Sequence, residues 1–315
     1  MSQDILQQIG GTPLVRLRRI GSRLPCEIWV KCEHLNPGGS IKDRIALAIV
    51  DDAEARGVLR PGMTLIEGTA GNTGAGLALV AAARGCRLVC VMPEKMSIDK
   101  RSTLAALGVE VIITPNAPPS SPDNFRNVAE RLSRENGWFL TDQFRNPANV
   151  RIHQETTAKE ILEQTGGSIG AFVAGAGTGG SSSGVGRRLK AHHKDIRVVL
   201  ADPVGSALAA WVETGSPGPD GSYAVEGIGA AEPPLNLHRD VIDSVERISD
   251  DESFEVTRRL IREEGLLVGG SSGTNVAAAM RVAASGQVSG PIVTVLPDSW
   301  DRYRSKAWMQ APWPN

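Results

Sequence analysis

The chain has 315 residues, 41% apolar and 22% charged, with a net charge of -1. That length suits about two domains of ordinary size, and the composition is that of a soluble globular chain. No long basic run stands out, and no apolar run approaches the roughly 20 residues a membrane-spanning helix needs, so neither nucleic acid nor membrane is an expected partner. The amino-terminal stretch MSQDILQQIGGTPL has no basic apolar leader, from which a cytoplasmic protein is expected. Four cysteines, Cys26, Cys32, Cys86 and Cys90, do not make a disulfide scaffold in a chain this long. They are expected as buried free thiols, and no metal site is expected.

In chain order, the pattern predicts a strand at 27–33 (EIWVKCE), a helix over 43–56, a strand at 64–68 (TLIEG) and a helix over 72–85. A strand at 87–92 (RLVCVM), a helix over 97–108, a strand at 109–114 (VEVIIT) and a helix over 122–137 follow. Next come a strand at 137–142 (GWFLTD), a helix over 150–166, a strand at 170–176 (GAFVAGA), a helix over 181–193 and a strand at 196–202 (IRVVLAD). A helix over 251–265, another after GLLVGG and a strand at 291–298 (PIVTVLPD) complete the series. Such alternation implies parallel strands joined by crossover helices. The strands read as nearly continuous apolar runs, as they do when both faces are covered. The class is therefore α/β. PNAPPSSPDN (115–124) and ETGSPGPDGSYAVEG (213–227) read as surface loops, and a domain change is expected near 145–150. In open α/β sheets ligands bind beyond the carboxyl ends of the strands, which is where the glycine-rich segments lie.

Four segments carry candidate chemistry. In NPGGSIKDR, Ser40 and Asp43 have the spacing of a capping box. Lys42 then falls in the first helical turn, against the positive end of the dipole. The chain holds only 8 lysines against 26 arginines, and a cation breaking a local rule points to function. The field there favours the free amine, which imine formation requires; a solvated surface lysine is the bland alternative. In EGTAGNTGAGLALVAAARG, Thr69, Asn72 and Thr73 with the loop amides form a donor-rich helix start suited to a carboxylate or phosphate. A glycine-permitted turn capped by Asn72 or Thr73 explains the glycines but not the all-small helix face that follows. In AFVAGAGTGGSSSGVGRRLK, Gly175, Gly177 and Gly180 match a dinucleotide fingerprint, with Asp202 ending the next strand where a ribose-binding acid belongs. The same loop, Gly177, Thr178, Gly179, Gly180 and Ser181, equally makes an anion cup. In GLLVGGSSGTN, Ser271, Ser272, Thr274 and Asn275 either cap a helix or aim one hydroxyl at a bound ring. Together the four ask for a carbonyl at Lys42, a phosphate at Gly177 to Ser181 and a polar ring atom at Ser271. Pyridoxal 5'-phosphate carries all three. A nicotinamide dinucleotide, the rival reading, leaves Lys42 and the loop at residue 72 without a use.

KCEHLNPGGSIKDR, EGTAGNTG, VMPEKMS, DQFRNPAN, GTGGS, DPVGS, EGIG, GGSSGTN and LPDS, in that order, resemble the cysteine synthase/cystathionine β-synthase family of pyridoxal phosphate enzymes. The resemblance runs from IGGTPLVRL to about residue 306. KCE, VMPEKMS, DPVGS and LPDS look closer to a cystathionine β-synthase catalytic core; QFRNPAN and the 115–124 loop look as much like cysteine synthases. The resemblance implies two open, doubly wound domains with the cofactor in the crevice between them: a smaller one over 46–148, and a larger one from 1–45 with 149–315. It implies that Lys42 binds the cofactor's aldehyde carbon and moves the proton at the substrate Cα. Asn72 would meet the ring hydroxyl, Gly177, Thr178, Gly179, Gly180 and Ser181 the phosphate, and Ser271 the ring nitrogen. Thr69, Ala70, Gly71, Thr73 and Gln143 would hold the substrate carboxylate, with Gly227 beside the substrate. It implies β-replacement on serine or an activated serine by a thiol, forming either cystathionine with homocysteine or cysteine with sulfide. A homodimer is implied too. Ala70 stands where many relatives carry serine, and Ser181 where threonine is frequent. Because the chain begins and ends near the catalytic core, neither a haem leader nor a regulatory tandem with its adenosyl effector is expected.

Overall fold

The computed structural model describes residues 4–69, 71–94, 96 and 98–310; Ala70 lies outside the described residues. The elements follow in the order β1 (Leu14–Arg16), β2 (Ile28–Lys31), α1 (Lys42–Ala55), β3 (Leu65–Gly68), α2 (Asn72–Arg84), β4 (Leu88–Pro93), α3 (Ile98–Ala106), β5 (Glu110–Thr114), α4 (Phe125–Asn136) and β6 (Phe139–Leu140). Then come α5 (Ala148–Ile152), α6 (Ala158–Gln164), β7 (Ala171–Ala174), α7 (Gly180–His192), β8 (Arg197–Pro203), α8 (Leu208–Thr214), β9 (Ser244–Ile248), α9 (Asp250–Glu263), α10 (Gly270–Ala284), β10 (Ile292–Val295) and α11 (Ala307–Gln310). The chain forms two compact units, Met1–Gly10 with Asn36–Asn149 and Gly11–Leu35 with Val150–Asn315. Of residues 1–45, expected in the larger part, both Met1–Gly10 and 36–45 group with the smaller one; Lys42 opens a helix that packs on α2.

The smaller unit holds a parallel sheet in the order β5-β4-β3-β6. β3 and β4 are buried along their whole length, so Leu65, Ile66, Val89 and Val91 are shielded on both faces. Each such side chain contributes about 1.5–3 kcal/mol by leaving water. The small-residue face of α2 has a packing cause. A Cβ at Gly76 would stand 3.0 Å from the Lys42 carbonyl oxygen, so the missing side chain lets the first turn of α1 lie against α2.

The larger unit holds the order β1-β2-β10-β7-β8-β9, parallel except that β1 runs antiparallel to β2. Every predicted strand forms. β1 and β9 were not predicted; both are edge strands, short and only partly buried, without a continuous apolar run. The helix expected over 150–166 is interrupted by a π turn at His153–Thr157, beside the point where Gly184 of α7 comes close; a Cβ there would lie 2.3 Å from the Val150 carbonyl oxygen. All four cysteines are free. Cys32 and Cys90 are buried and Cys26 and Cys86 only partly so; burial pushes the Cys32 thiol up to about 12. Among the described residues no helix is long and apolar enough to cross a membrane, and no group of three or more His, Cys, Asp or Glu side chains can hold a metal.

Candidate active site

In the smaller unit the chain enters α1 differently from the expected capping box. Ser40 Oγ accepts from the Lys42 amide at 3.2 Å, and Asp43 reaches back past Ser40 to accept from the Gly38 amide at 2.5 Å. A Cβ at Gly38 would stand 2.5 Å from Asp43 Oδ1, so glycine is required there. Asp43 is fully buried and Lys42, the first helical residue, half-buried. Lys42 therefore sits at a positive helix end, as the sequence indicates, on a turn fixed from both sides.

β3 ends in Glu67 and Gly68, and a tight loop leads to α2. Thr69 Oγ1 accepts from the Gly71 amide at 3.2 Å. α2 begins at Asn72, and its cap residue Gly71 closes it with no side-chain hydrogen bond; neither Asn72 nor Thr73 serves as the cap. Thr73 instead donates to Gln143 Oε1 at 2.5 Å. The structure thus brings Thr69, Gly71, Asn72, Thr73 and Gln143 together. It also brings in Glu67, which the sequence reading treated only as a strand end. Gln143 donates to it through Nε2 at 3.1 Å and through its backbone amide at 3.3 Å, and Thr141 Oγ1 donates to it as well. An acid inside the apolar run LIEG was the available signal.

In the larger unit the loop after β7 leads into α7 through Gly179, whose φ is +86° and which supplies no side-chain cap. Thr178, Gly179 and Gly180 are buried, Gly177 and Ser181 half-buried. A Cβ at Gly177 would lie 2.2 Å from the Gly227 carbonyl oxygen, and one at Gly179 would lie 2.5 Å from the Leu237 amide nitrogen. Gly177 therefore packs against Gly227, and Gly179 against Leu237. α10 begins in the same manner, on Gly269 with no side-chain cap, and Ser271 lies buried in its first turn. Asn275 joins the two segments: its Oδ1 accepts from the Gly175 amide at 2.7 Å and its Nδ2 donates to the Val295 carbonyl at 2.8 Å.

The dinucleotide reading fails at its acid. Asp202 is fully buried, and its Oδ2 accepts from the Ala209 amide at 2.8 Å, inside the first turn of α8. Burial first of all raises its carboxyl to about 6. A Cβ at Gly175 would meet Ile228 at 2.9 Å. Gly175 and Gly177 admit the chain's own loop at 227–228.

The helix starts give a test of fit for a phosphorylated cofactor. α4 and α9 are closed by their own side chains, Asn124 and Ser249. α2, α7 and α10 start on glycine with no side-chain cap, and an uncapped first turn offers its amides to an anion or a polar ring atom. With hydroxyls at Thr178, Ser181 and Ser271 and an amine at Lys42, the donor set matches pyridoxal phosphate.

Comparison with known proteins agrees. The family model described as pyridoxal-phosphate dependent enzyme matches residues 5–298. The chain is 47% identical to cystathionine beta-synthase of Apis mellifera over 98% of its own length and 62% of that protein. It is 42% identical to cysteine synthase of Staphylococcus aureus over 96% of its own length and 95% of that protein. Among solved structures, O-ureido-L-serine synthase superposes with a TM-score of 0.91 at 38% identity, covering 100% of this chain and 97% of that one. The chain spans about three-fifths of the length of the Apis mellifera relative. It belongs to the pyridoxal-phosphate-dependent enzymes, in the branch that contains the cystathionine β-synthases and cysteine synthases.

Proposed function

We propose that the protein catalyses β-replacement on L-serine by homocysteine, forming L-cystathionine. The observation that carries the chemistry is the set of helices that start on glycine with no side-chain cap, α2 in the unit that also holds the lysine at the head of α1, and α7 and α10 in the other. The choice of substrates is supported by the 47% identity to a cystathionine beta-synthase over nearly the whole chain. When bound, pyridoxal phosphate supplies an electron-withdrawing ring that makes the α-proton of an attached amino acid acidic. The amides of Gly177, Thr178, Gly179, Gly180 and Ser181 receive the phosphate, whose charge of about -1.5 to -2 suits the positive end of α7. Asn72 meets the ring hydroxyl. Ser271 presents a neutral hydroxyl to the ring nitrogen. Lys42 would hold the aldehyde carbon at rest and remove the proton at Cα; the serine β-hydroxyl would leave as water, the thiol would add at Cβ with loss of its own proton, and Lys42 would return a proton to Cα. Thr69, Ala70, Gly71, Thr73 and Gln143 orient the substrate carboxylate, and Gly227 lines the substrate's side.

A second reading, cysteine synthesis from O-acetylserine and sulfide, is favoured by the end-to-end match to a cysteine synthase. Product identification decides between them. Purified enzyme given serine and homocysteine should release cystathionine faster than enzyme given O-acetylserine and sulfide releases cysteine; the opposite order overturns the first reading. Borohydride reduction and peptide mapping of the holoenzyme should find a pyridoxyl group on the peptide containing Lys42, and its absence would falsify that residue's assignment.

A further inference from the structure

Glu67 is 2% exposed, and its hydrogen-bond partners among the described residues are the neutral groups of Thr141 and Gln143. All three bonds run toward the carboxylate: the Thr141 hydroxyl, the Gln143 backbone amide and the Gln143 side-chain nitrogen donate, and Glu67 accepts. That is the pattern of an ionised acid. It also orients the Gln143 amide. With Nε2 on Glu67, Oε1 turns to Thr73 and takes that residue's hydroxyl proton at 2.5 Å. Reversing the amide would set Oε1 against an anionic carboxylate, acceptor on acceptor. The turn that brings Thr141 and Gln143 onto Glu67 is strained, since Asp142 between them holds a φ of +51°. Asn149 Nδ2 fixes the backbone further by donating to the Gln143 carbonyl at 2.8 Å.

This arrangement commits the Thr73 hydroxyl proton to Gln143. A substrate carboxylate arriving at the loop needs donors, and those two side chains have turned theirs away from it. We propose that Glu67 is a positioning residue that takes up a proton when a substrate carboxylate binds, so that the Gln143 amide reverses and it and Thr73 both donate to that carboxylate. The proton comes from solvent. Protonated Glu67 then donates to Gln143 Oε1, Nε2 faces the loop, and the Thr73 hydroxyl is released. No other bond changes. The proposal rests on the assignment of the carboxylate to this loop.

Burial raises the Glu67 carboxyl to about 7, against the lowering effect of its bonds from Thr141 and Gln143, and Asp142 raises it further. A second negative charge nearby favours the protonated form more strongly still. Among the described residues, the other titratable or charged groups around this site are Cys90 on the neighbouring strand, registered against Glu67, Lys100, whose stem lies over Gly71, and Arg126, whose backbone lies against Gly68.

The test uses holoenzyme and L-alanine, which carries the carboxylate and no β-leaving group, with L-alaninamide as the uncharged control. Calorimetry in buffers of different ionisation enthalpy counts protons. At pH 8 the wild type should take up roughly 0.5–1 proton more with alanine than Glu67→Gln does, and alaninamide should show no such difference. Wild-type affinity for alanine should fall as pH rises from 6.5 to 8.5 more steeply than that of Glu67→Gln, a neutral mimic that should bind alanine at least as tightly at pH 8. Equal proton counts and parallel pH profiles overturn the proposal. If Glu67→Gln does not fold, the wild type alone decides by comparison of alanine with alaninamide once the ionisation of each free amine at that pH has been subtracted. Thr73→Val separates the two readings. Should it leave alanine affinity unchanged, the carboxylate assignment falls; should it weaken alanine while wild type and Glu67→Gln behave alike, only the role of Glu67 falls.

Discussion

Lys42 and Ser271 are legible in the sequence for one physical reason: each puts an unusual group at a helix start. A cation against the dipole and hydroxyls after paired glycines both stand out in a single chain. Glu67 stands out only as an acid in an apolar run; its partner Gln143 is 76 residues away, and no local pattern encodes that contact. The capping box was misread for a related reason. Ser40 and Asp43 have the right spacing, but Asp43 accepts from the Gly38 amide. At Ser271 the chemistry turns on charge. In the proposed role, a neutral hydroxyl would not hold a proton on the ring nitrogen as a carboxylate can, and the ring would be a moderate electron sink suited to prompt loss of a β-substituent. Ser271→Asp should shift the visible absorbance of the holoenzyme and raise side products relative to replacement product. An unchanged spectrum and unchanged product ratio would refute this account of Ser271.

At the level of elements, buried parallel strands announced themselves as unbroken apolar runs, and all eight predicted strands form. The edge strands β1 and β9 did not, because an edge needs only part of its length covered. Glycine was the ambiguous letter. It serves tight turns, uncapped helix starts and close packing alike, and only coordinates separate these uses. Gly179 combines two of them, a φ of +86° and a backbone neighbour 2.5 Å from a Cβ. Gly179→Ala should lower stability by about 1–3 kcal/mol and weaken cofactor retention, measured by denaturant titration and by cofactor absorbance after dialysis. Gly273 serves packing only. A Cβ there would come within 1.8 Å of the Ser253 carbonyl oxygen on α9, so Gly273→Ala should part α9 from α10 and cost about 2–4 kcal/mol. A wild-type denaturation midpoint for that variant would contradict the packing described.

For the molecule as a whole, two buried acids tie stability to pH. Asp202 and Glu67 are raised to about 6 and about 7, burial being the main cause in each. Their folded values exceed their unfolded ones, so the folded chain binds more protons between about pH 4 and 7. Their contribution to stability is full at the acid end and is lost as pH rises through that window. Asp202→Asn keeps an oxygen for the Ala209 amide and removes the charge; it should flatten the decline between pH 4 and 6 and add about 1–3 kcal/mol at pH 8, as read from urea unfolding at stepped pH. The strand order has a consequence for biosynthesis. β2 lies between β1 and β10, so the hairpin made early on the ribosome waits for the last strand of the chain before its second edge is covered. The smaller sheet, complete at β6, has no such wait. Nascent chains stalled near residue 200 should protect the smaller sheet from protease while the β1–β2 hairpin is still cut, which makes the early hairpin the segment most in need of a chaperone.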